Sequence, residues 1–236
     1  MAKRRKVSNL LALSLLSQLA PREPMYPYEM AQTLKRRGKD QSITINWGSL
    51  YTVVQNLEKY GFIEPVATVR EGRQPERTTY RITDAGLAEL KDWLRELISV
   101  PDEEPNRFES ALADWMVLGP DEITDLLSQR LETLDKAVEV LKTNLTTWTR
   151  RLPRIFLVEA EYRLAMRTAE AGWVRGLIGE IVNDTLVDGA LGGMDAWRRF
   201  AETGEIPPEA RELDEQAKRG WPDEPRSASA DGDQHT

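Results

Sequence analysis

The chain from Asn46 to Ile63 has the alternation of apolar and polar positions that is typical of a short amphipathic helix. Four apolar residues recur at three- and four-residue steps, which places them on one side of a helical turn: Leu50, Val53, Val54 and Leu57. Asn46 is suited to cap the first turn with its side-chain oxygen, and Gly61 is suited to end the helix. The sequence therefore predicts a helix that buries one side and exposes the other.

The exposed side of this predicted helix has few acids and many groups that both donate and accept hydrogen bonds. Its members are Gly48, Ser49, Tyr51, Thr52, Gln55, Asn56 and Lys59. Such a surface suits the floor of a DNA major groove, where the base edges present donors and acceptors. An ordinary solvated helix surface is the alternative interpretation.

A predicted hairpin follows this helix and favours DNA binding. Phe62 to Val69 and Arg77 to Thr83 have the composition and alternation of strands. The loop between them, Arg70 to Glu76, contains a glycine, a proline and a basic tip. A helix followed by a hairpin with a cationic loop is the arrangement of a winged helix-turn-helix.

Several segments, in their order and combination, resemble the PadR family of bacterial transcriptional regulators over about residues 10–97. They are Gly48-Ser49-Leu50-Tyr51, the run from Leu57 to Ile63, Gly72-Arg73, and the run from Tyr80 to Gly86. The chain departs from the family at Pro27 to Met30, where a glycine more often precedes the tyrosine, and we expect this to alter only the start of the second helix. The resemblance implies a mainly α fold with a small β wing and a long helical C-terminal part.

The resemblance also implies a homodimer that binds double-stranded DNA and acts as a repressor. The helix from Trp47 to Tyr60 would lie in the major groove, with Thr52 and Gln55 closest to the base edges. The side chains expected at the groove rim or the phosphates are Ser49, Tyr51 and Lys59. The wing residues expected to contact the backbone or the minor groove are Arg73, Gln74 and Arg77.

The chain before this helix predicts two more helices. The first runs from about Ser8 to Leu19 and stops before a proline, and the second runs from Pro27 to about Gly38. Three side chains of the second helix are predicted to face inward: Tyr28, Ala31 and Leu34. Ser42 to Ile45 is predicted as a short strand beside the hairpin. The basic arm Lys3 to Lys6 is either solvated or in contact with DNA.

A helix capped by Thr83 or Asp84 follows the wing and ends at a linker that begins at Val100. We therefore divide the chain into a winged-helix domain (1–100), a helical dimerisation and effector domain (101–203) and a disordered tail (204–236).

Regulators of this family often respond to a small molecule. The side chains proposed to line such a ligand site are Trp93, Phe108 and Trp115, although a role in the core or the dimer interface explains them as well.

The chain from Pro120 to Trp148 carries a heptad pattern. Apolar residues alternate steps of four and three: Leu127, Leu131, Leu134, Val138, Leu141, Leu145 and Trp148. A 3.5-residue repeat is typical of a coiled-coil seam, so we predict that these residues form part of a two-fold dimer interface. Packing on a helix of the same chain is the alternative. Residues 153–187 and 194–203 are also predicted to be helical, and Gly172 and Gly176 would let another helix approach closely.

Side chains suited to catalysis are scarce. The sequence has no cysteine, and its one histidine, His235, lies in the predicted tail. Histidine acid–base pairs, thiolate nucleophiles and cysteine zinc sites are thereby excluded. The sequence also contains no phosphate-binding loop, dinucleotide fingerprint or nucleophile elbow. We predict a protein that is not an enzyme and that has no cofactor or metal.

The net charge of −7 is distributed unevenly. Residues 1–100 contain 16 Lys and Arg against 11 Asp and Glu, a net charge of +5, and the rest of the chain carries −12. A basic N-terminal part and an acidic remainder fit a DNA-contacting domain joined to one that stays away from phosphates. A winged-helix adaptor for protein partners is the alternative from another class. Because no segment has the features of a signal peptide or a bilayer span, we expect a cytoplasmic protein without a membrane partner.

Overall fold

The computed structural model describes residues 5–36, 47–69, 77–101, 106–187, 192–208 and 211. Over these residues the chain is mainly helical with one two-stranded antiparallel sheet, which confirms the predicted fold class. The chain divides into two units, residues 1–104 and residues 105–236. In the described part of the chain, no helix is both long enough and apolar enough to cross a membrane.

The first unit contains four helices and a hairpin within its described residues. They are α1 (Leu10–Leu19), α2 (Pro27–Arg36), α3 (Trp47–Lys59), β1 (Ile63–Val69), β2 (Arg77–Ile82) and α4 (Asp84–Ser99). The side chain of Asn9 caps α1, because its oxygen accepts a hydrogen bond from the backbone N–H of Leu11 at 2.7 Å. Three predicted features lie outside the described residues: the Asn46 cap, the strand Ser42–Ile45 and the helix end at Gly38.

One hydrophobic core joins the elements of the first unit. Its largest fully buried side chains are Leu11, Leu15, Leu16, Leu19, Met30, Leu50, Leu57, Ile63 and Ile82. In α2 the inward residues include Met30, Ala31 and Leu34, whereas Tyr28 is exposed and its hydroxyl accepts a hydrogen bond from Gln32. The prediction that Tyr28 faces inward is therefore wrong, because the buried face of α2 is centred on Met30.

The hairpin pairs Ile63 with Ile82 at its base and Val69 with Arg77 at its far end. The register shifts between Pro65 and Ala67, a bulge that the sequence analysis did not predict. Met25 forms a further antiparallel bridge with Tyr80, which extends the sheet by one residue pair. The wing is therefore anchored both to α3, through β1, and to the segment before α2.

The second unit consists of helices in its described residues. They are α5 (Arg107–Ala113), a 3₁₀ turn (Trp115–Val117), α6 (Pro120–Trp148), a second 3₁₀ turn (Arg154–Phe156), α7 (Val158–Val182) and α8 (Gly193–Thr203). The predicted helix over residues 153–187 is thus divided into a short turn and α7. The proposed disordered tail lies mostly outside the described residues.

The heptad stripe of α6 is buried within the chain. The buried members are Leu127, Leu134, Val138, Leu141 and Leu145, while Leu131 is half-buried and Trp148 is exposed. Helix α6 packs along α7, and two ion pairs link these helices, Arg130 with Glu170 and Arg175 with Asp135. Packing on a helix of the same chain, the alternative left open by the sequence, therefore explains the repeat. The buried stripe is not a free surface for a second copy.

Candidate nucleic-acid interface

Helix α3 has one buried and one exposed side. Leu50, Val53, Val54 and Leu57 are buried in the core of the first unit. The outer side chains Thr52, Gln55 and Lys59 are exposed together on the opposite face. Their spacing of three and four residues keeps them within one stripe about 10 Å long. The structure therefore brings together three of the side chains that the sequence assigned to DNA.

The upper part of this stripe presents groups that can form hydrogen bonds. The Thr52 hydroxyl donates to the carbonyl oxygen of Gly48 at 3.2 Å, which leaves its lone pairs free to accept. Gln55 makes no hydrogen bond to another described residue, so its amide can both donate and accept. Tyr51 is exposed beside them and Ser49 is half-buried. This arrangement has the chemistry needed to read base edges.

The C-terminal end of α3 carries two ammonium groups around one aromatic ring. The Nζ atoms of Lys59 and Lys6 lie 5.7 Å and 5.6 Å from the centroid of Tyr60. Each separation is within the range of a cation–π contact. Lys59 thus has a structural partner in addition to its predicted role at the phosphates. Lys3 and Arg4, the first residues of the basic arm, lie outside the described residues.

Arg5, by contrast, is turned into the protein. Its guanidinium pairs with Glu89 at 2.6 Å, with Asp92 at 3.3 Å and with Glu96, and it lies 5.5 Å from the Trp93 ring centroid. Burial disfavours the charged form, but the hydrogen bonds to Glu89 and Glu96 and their charges outweigh burial and raise the pKa of Arg5. The sequence left two interpretations of the basic arm open, exposure to solvent and contact with DNA. Neither of them applies to the Arg5 side chain.

The sequence did not lead us to predict the contact of Arg5 with α4, although the sequence of α4 contains a signal for it. Glu89, Asp92, Trp93 and Glu96 follow each other at steps of three, one and three, so they share one face of α4. Acidic side chains on one helix face around a tryptophan favour contact with a cationic side chain. The sequence does not show that the cation comes from a residue 84 positions earlier in the chain.

The junction between α3 and the wing is held by side chains of both elements. The Tyr80 hydroxyl donates to the Glu58 carboxylate at 3.3 Å. Burial raises the pKa of the Tyr80 phenol, and the neighbouring Glu58 charge and the hydrogen bond raise it further. The chain turns at Gly61, whose φ of +73° is left-handed, and the Thr83 hydroxyl donates to the Gly61 carbonyl at 2.6 Å. These contacts orient the hairpin relative to the exposed stripe of α3.

The proposed wing contacts are only partly within the described residues. Arg73 and Gln74 lie outside them, and for Arg77 the structure describes the backbone alone, at the first position of β2. Lower on the hairpin, Arg81 pairs with Glu64 at 2.7 Å. The assignment of Arg73, Gln74 and Arg77 to DNA therefore stays a prediction.

The three candidate ligand residues all have packing partners within their own units. Trp93 is 4% exposed in the core of the first unit, beneath Arg5. In the second unit, Phe108 lies between the guanidinium of Arg130, 3.7 Å from its centroid, and the edge of Trp173. Trp115 packs on Trp197 with centroids 5.4 Å apart. The role of these residues in ligand binding stays a prediction.

The chain is similar to known proteins in sequence and in fold. Residues 15–92 match the transcriptional regulator PadR-like family. The structure of Bacillus subtilis PadR in complex with operator DNA is 20% identical with a TM-score of 0.60, and the match covers 73% of this chain and 99% of that one. For the same protein in complex with p-coumaric acid, the identity is 18%, the TM-score 0.61 and the coverage 74% and 99%.

A third solved structure, smu.1604c from Streptococcus mutans UA159, is 22% identical with a TM-score of 0.52, covering 71% of this chain and 98% of that one. At these identities, the likenesses show the fold. No curated protein sequence matches the chain. The resemblance to PadR is confirmed over residues 15–92, and the matched family is one of transcriptional regulators.

Proposed function

We propose that this PadR-like transcriptional regulator binds a pseudo-palindromic DNA operator as a homodimer and represses transcription from it. The observation that carries the proposal is the division of α3, whose apolar side is buried while Thr52 and Gln55 stand exposed on the other. The net charge of +5 over residues 1–100 supports contact with phosphates. A protein of the same fold, Bacillus subtilis PadR, is described in complex with operator DNA.

The exposed residues of the first unit have separate roles in this proposal. Thr52 and Gln55 read base edges in the major groove, because they are the uncharged hydrogen-bonding members of the stripe, whereas the ammonium group of Lys59 contacts the Tyr60 ring. The remaining side chains fix the orientation of the helix through the groove rim and the phosphates: Ser49, Tyr51 and Lys59. The wing adds contacts to the backbone or the minor groove through Arg73, Gln74 and Arg77.

A homodimer supplies two such units to one operator. Two-fold symmetry in the protein requires two half-sites related by the same symmetry, about one helical turn or a small multiple apart. Self-association is supported by α7, which exposes the large side chains Tyr162, Met166 and Trp173 on the side opposite its buried face. A dimer that covers a promoter represses by excluding the polymerase, and such a protein acts in the bacterial cytoplasm at the nucleoid.

A small aromatic effector is the second part of the proposal. Phe108 and Trp115 are half-buried in the second unit. Phe108 lies next to the exposed ring of Trp173 and to Arg130, whose guanidinium also pairs with Glu170, and Trp115 packs on Trp197. Rings and a guanidinium suit a planar acid, and Bacillus subtilis PadR is described with p-coumaric acid. Titration of the tryptophan fluorescence with aromatic acids tests this. A saturable change that is lost in Phe108→Ala is expected, and no change with any of them would contradict the effector.

DNA binding is tested with the full-length protein and duplexes from the region upstream of its own gene. Fluorescence anisotropy should show one duplex bound at least about 10³-fold more tightly than a scrambled duplex of equal length. The difference should be lost in the double variant Thr52→Ala/Gln55→Ala, with weak non-specific binding retained. Equal affinity of the wild type for matched and scrambled duplexes along the whole upstream region would contradict the choice of that operator. Equal loss of both kinds of binding would contradict the assignment of base contacts.

A further inference from the structure

Helix α7 has a second apolar face that the described residues of its unit leave largely exposed, with Phe108 in contact with Trp173. Its members are exposed and uncharged: Val158, Tyr162, Ala165, Met166, Ala169, Gly172, Trp173 and Gly176. They recur at steps of three and four, so they form one continuous stripe of five turns, about 27 Å long. The face that packs on α6 lies on the other side and includes Val174, Leu177 and Ile181. A charge-free exposed stripe of this length marks an interaction surface.

Two glycines in the stripe indicate how closely the partner approaches. A Cβ atom at Gly172 or Gly176 would have no heavy atom within 4 Å, so no contact among the described residues requires glycine there. Glycine inside a helix costs about 1 kcal/mol relative to alanine. A second helix packed against this side would account for both residues, because small side chains allow two backbones to come close.

The stripe is complementary to a reversed copy of itself. When two α7 helices run antiparallel with Ala169 opposite Ala169, residues whose numbers are equally far from 169 face each other. Large side chains then meet small ones at three levels of the stripe, since Tyr162 faces Gly176, Met166 faces Gly172, and Trp173 faces Ala165. At the end of the stripe, Val158 faces Glu180. Helices pack when the projections of one fill the spaces of the other. A shift by one turn would set Tyr162 against Gly172, but it would also set Met166 against Thr168 and Trp173 against the charged Glu161.

Charges at the two ends of α7 select the antiparallel arrangement over the parallel one. Before its N-terminus the chain exposes Arg150, Arg151 and Arg154, of which Arg154 pairs with Glu161 of its own chain at 3.0 Å. At its C-terminus the exposed acids are Glu180 and Asp184. In an antiparallel pair, each cluster lies beside the cluster of opposite sign, whereas a parallel pair would bring like charges together at both ends.

We infer that α7 pairs antiparallel with α7 of a second copy about a two-fold axis at Ala169. The inference rests on the proposed homodimer and adds its surface and register. A two-fold axis at one residue gives an isologous interface, which closes on itself. Exposed apolar residues beyond the stripe, Ile155, Phe156 and Val182, extend the contact toward the roughly 800 Å² per partner of a stable interface.

Cross-linking through single cysteines tests the register, because the natural sequence contains no cysteine. Ala169→Cys should be captured almost entirely as a dimer by a short bismaleimide. Val158→Cys lies about 16 Å along α7 from the axis, so its symmetry mate is about 33 Å away and its cross-link should stay at background. A parallel pair would cross-link both variants.

Exchange of large and small residues tests the same register without a cross-linker. Gly172→Leu should convert the dimer to a monomer in light scattering with its helical circular dichroism retained, since the position has open space within the chain. Adding Met166→Ala should restore the dimer, and adding Tyr162→Ala should not, because only residue 166 faces residue 172. Thr168→Leu, at an exposed position of α7 beside the stripe, should stay dimeric.

The outcomes separate the two proposals. A wild type that is monomeric at micromolar concentration overturns the homodimer and, with it, the pairing of α7. A dimeric wild type in which Val158→Cys cross-links, or in which Met166→Ala does not rescue Gly172→Leu, overturns the register and leaves the homodimer standing. Capture of Ala169→Cys together with the specific rescue supports both.

Discussion

Gly86 lies so close to Phe62 that a Cβ atom on it would be 2.0 Å from the Phe62 carbonyl oxygen. The same oxygen accepts a hydrogen bond from the backbone N–H of Thr83 at 3.1 Å, and the Thr83 hydroxyl accepts from the Gly86 N–H at 3.0 Å. The start of α4 is therefore fixed against the segment that leads from α3 into the wing. Because Phe62 is held through backbone bonds, it cannot move aside for a side chain.

Gly86→Ala should consequently destabilise the first unit by about 1–3 kcal/mol, the usual cost of forcing atoms into a packed site. Urea unfolding followed by circular dichroism measures this. Gly179→Ala is the control, since a Cβ atom there meets nothing within 4 Å and alanine is the better helix former. The control should be neutral or slightly stabilising, and a Gly86→Ala variant as stable as the control would show that the approach is not tight.

The buried Arg5 provides a second prediction. Arg5→Ala removes a guanidinium that is 4% exposed and leaves Glu89, Asp92 and Glu96 without it. Unfolding free energy should fall by about 2–3 kcal/mol, less than for a fully buried pair because the carboxylates are partly exposed. Arg22→Ala is the matched control, since it also removes an arginine paired with an acid of α4, Asp84, but at an exposed site. Its effect should stay below about 1 kcal/mol. Equal losses in the two variants would contradict the role of burial.

Much of the first unit follows from the sequence because its elements are local. The spacing of apolar residues in α3 predicts the faces that the structure shows, and the helix spans Trp47–Lys59 against a predicted Trp47–Tyr60. Turn residues such as Gly61 fix the boundaries of the wing. The outward stripe with Thr52 and Gln55 follows from the same periodicity. The structure adds that this stripe is exposed on the folded unit, which its polarity alone does not show.

What could not be predicted depends on contacts between distant residues. The heptad in α6 has the same spacing whether its partner is α7 or a second copy, so periodicity alone could not decide between them. The Arg5 contact with Trp93 and the bulge between Pro65 and Ala67 likewise require the folded arrangement. Tyr28 was predicted to face inward together with Ala31 and Leu34, but Met30 lies in the core and Tyr28 is exposed.

Gln55→Ala should change base preference without changing the electrostatic part of DNA binding. Its amide makes no hydrogen bond within the described chain, so the substitution leaves the fold intact. Loss of a base contact costs about 1–3 kcal/mol at one position of each half-site and relaxes the selection there. Binding-site selection before and after the substitution measures the change. An unchanged site with uniformly weaker binding would place Gln55 at a phosphate.

Arg73→Ala is expected to change the electrostatic part of DNA binding without changing base preference. As a proposed wing contact to a phosphate, it should weaken binding to all duplexes alike. It should also reduce the slope of log affinity against log salt by about one unit, or two in a dimer that uses both wings. Anisotropy titrations at several salt concentrations provide the slope. Arg81→Ala is the control, because Arg81 is paired with Glu64 lower on the hairpin. Identical slopes for Arg73→Ala and the wild type would exclude the wing contact.

Leu141 and Val140 are neighbours in α6 with opposite environments, which makes them a test of where the heptad stripe packs. Leu141 is 5% exposed and Val140 is 58% exposed. If the stripe packs on α7 of the same chain, Leu141→Ala should cost about 2–4 kcal/mol of unfolding free energy through the cavity it leaves. Val140→Ala should change it by less than about 0.5 kcal/mol.

Leu141→Ala would have a different effect if the heptad stripe of α6 formed the interface between two copies of the chain. Leu141→Ala would then raise the dimer dissociation constant, and the loss of stability would shrink as protein concentration increases, because association favours the folded chains by mass action. Sedimentation across a concentration series, combined with unfolding at each concentration, separates the two cases. A constant loss of stability with an unchanged dissociation constant is expected, since Leu141 contacts its own chain in each copy.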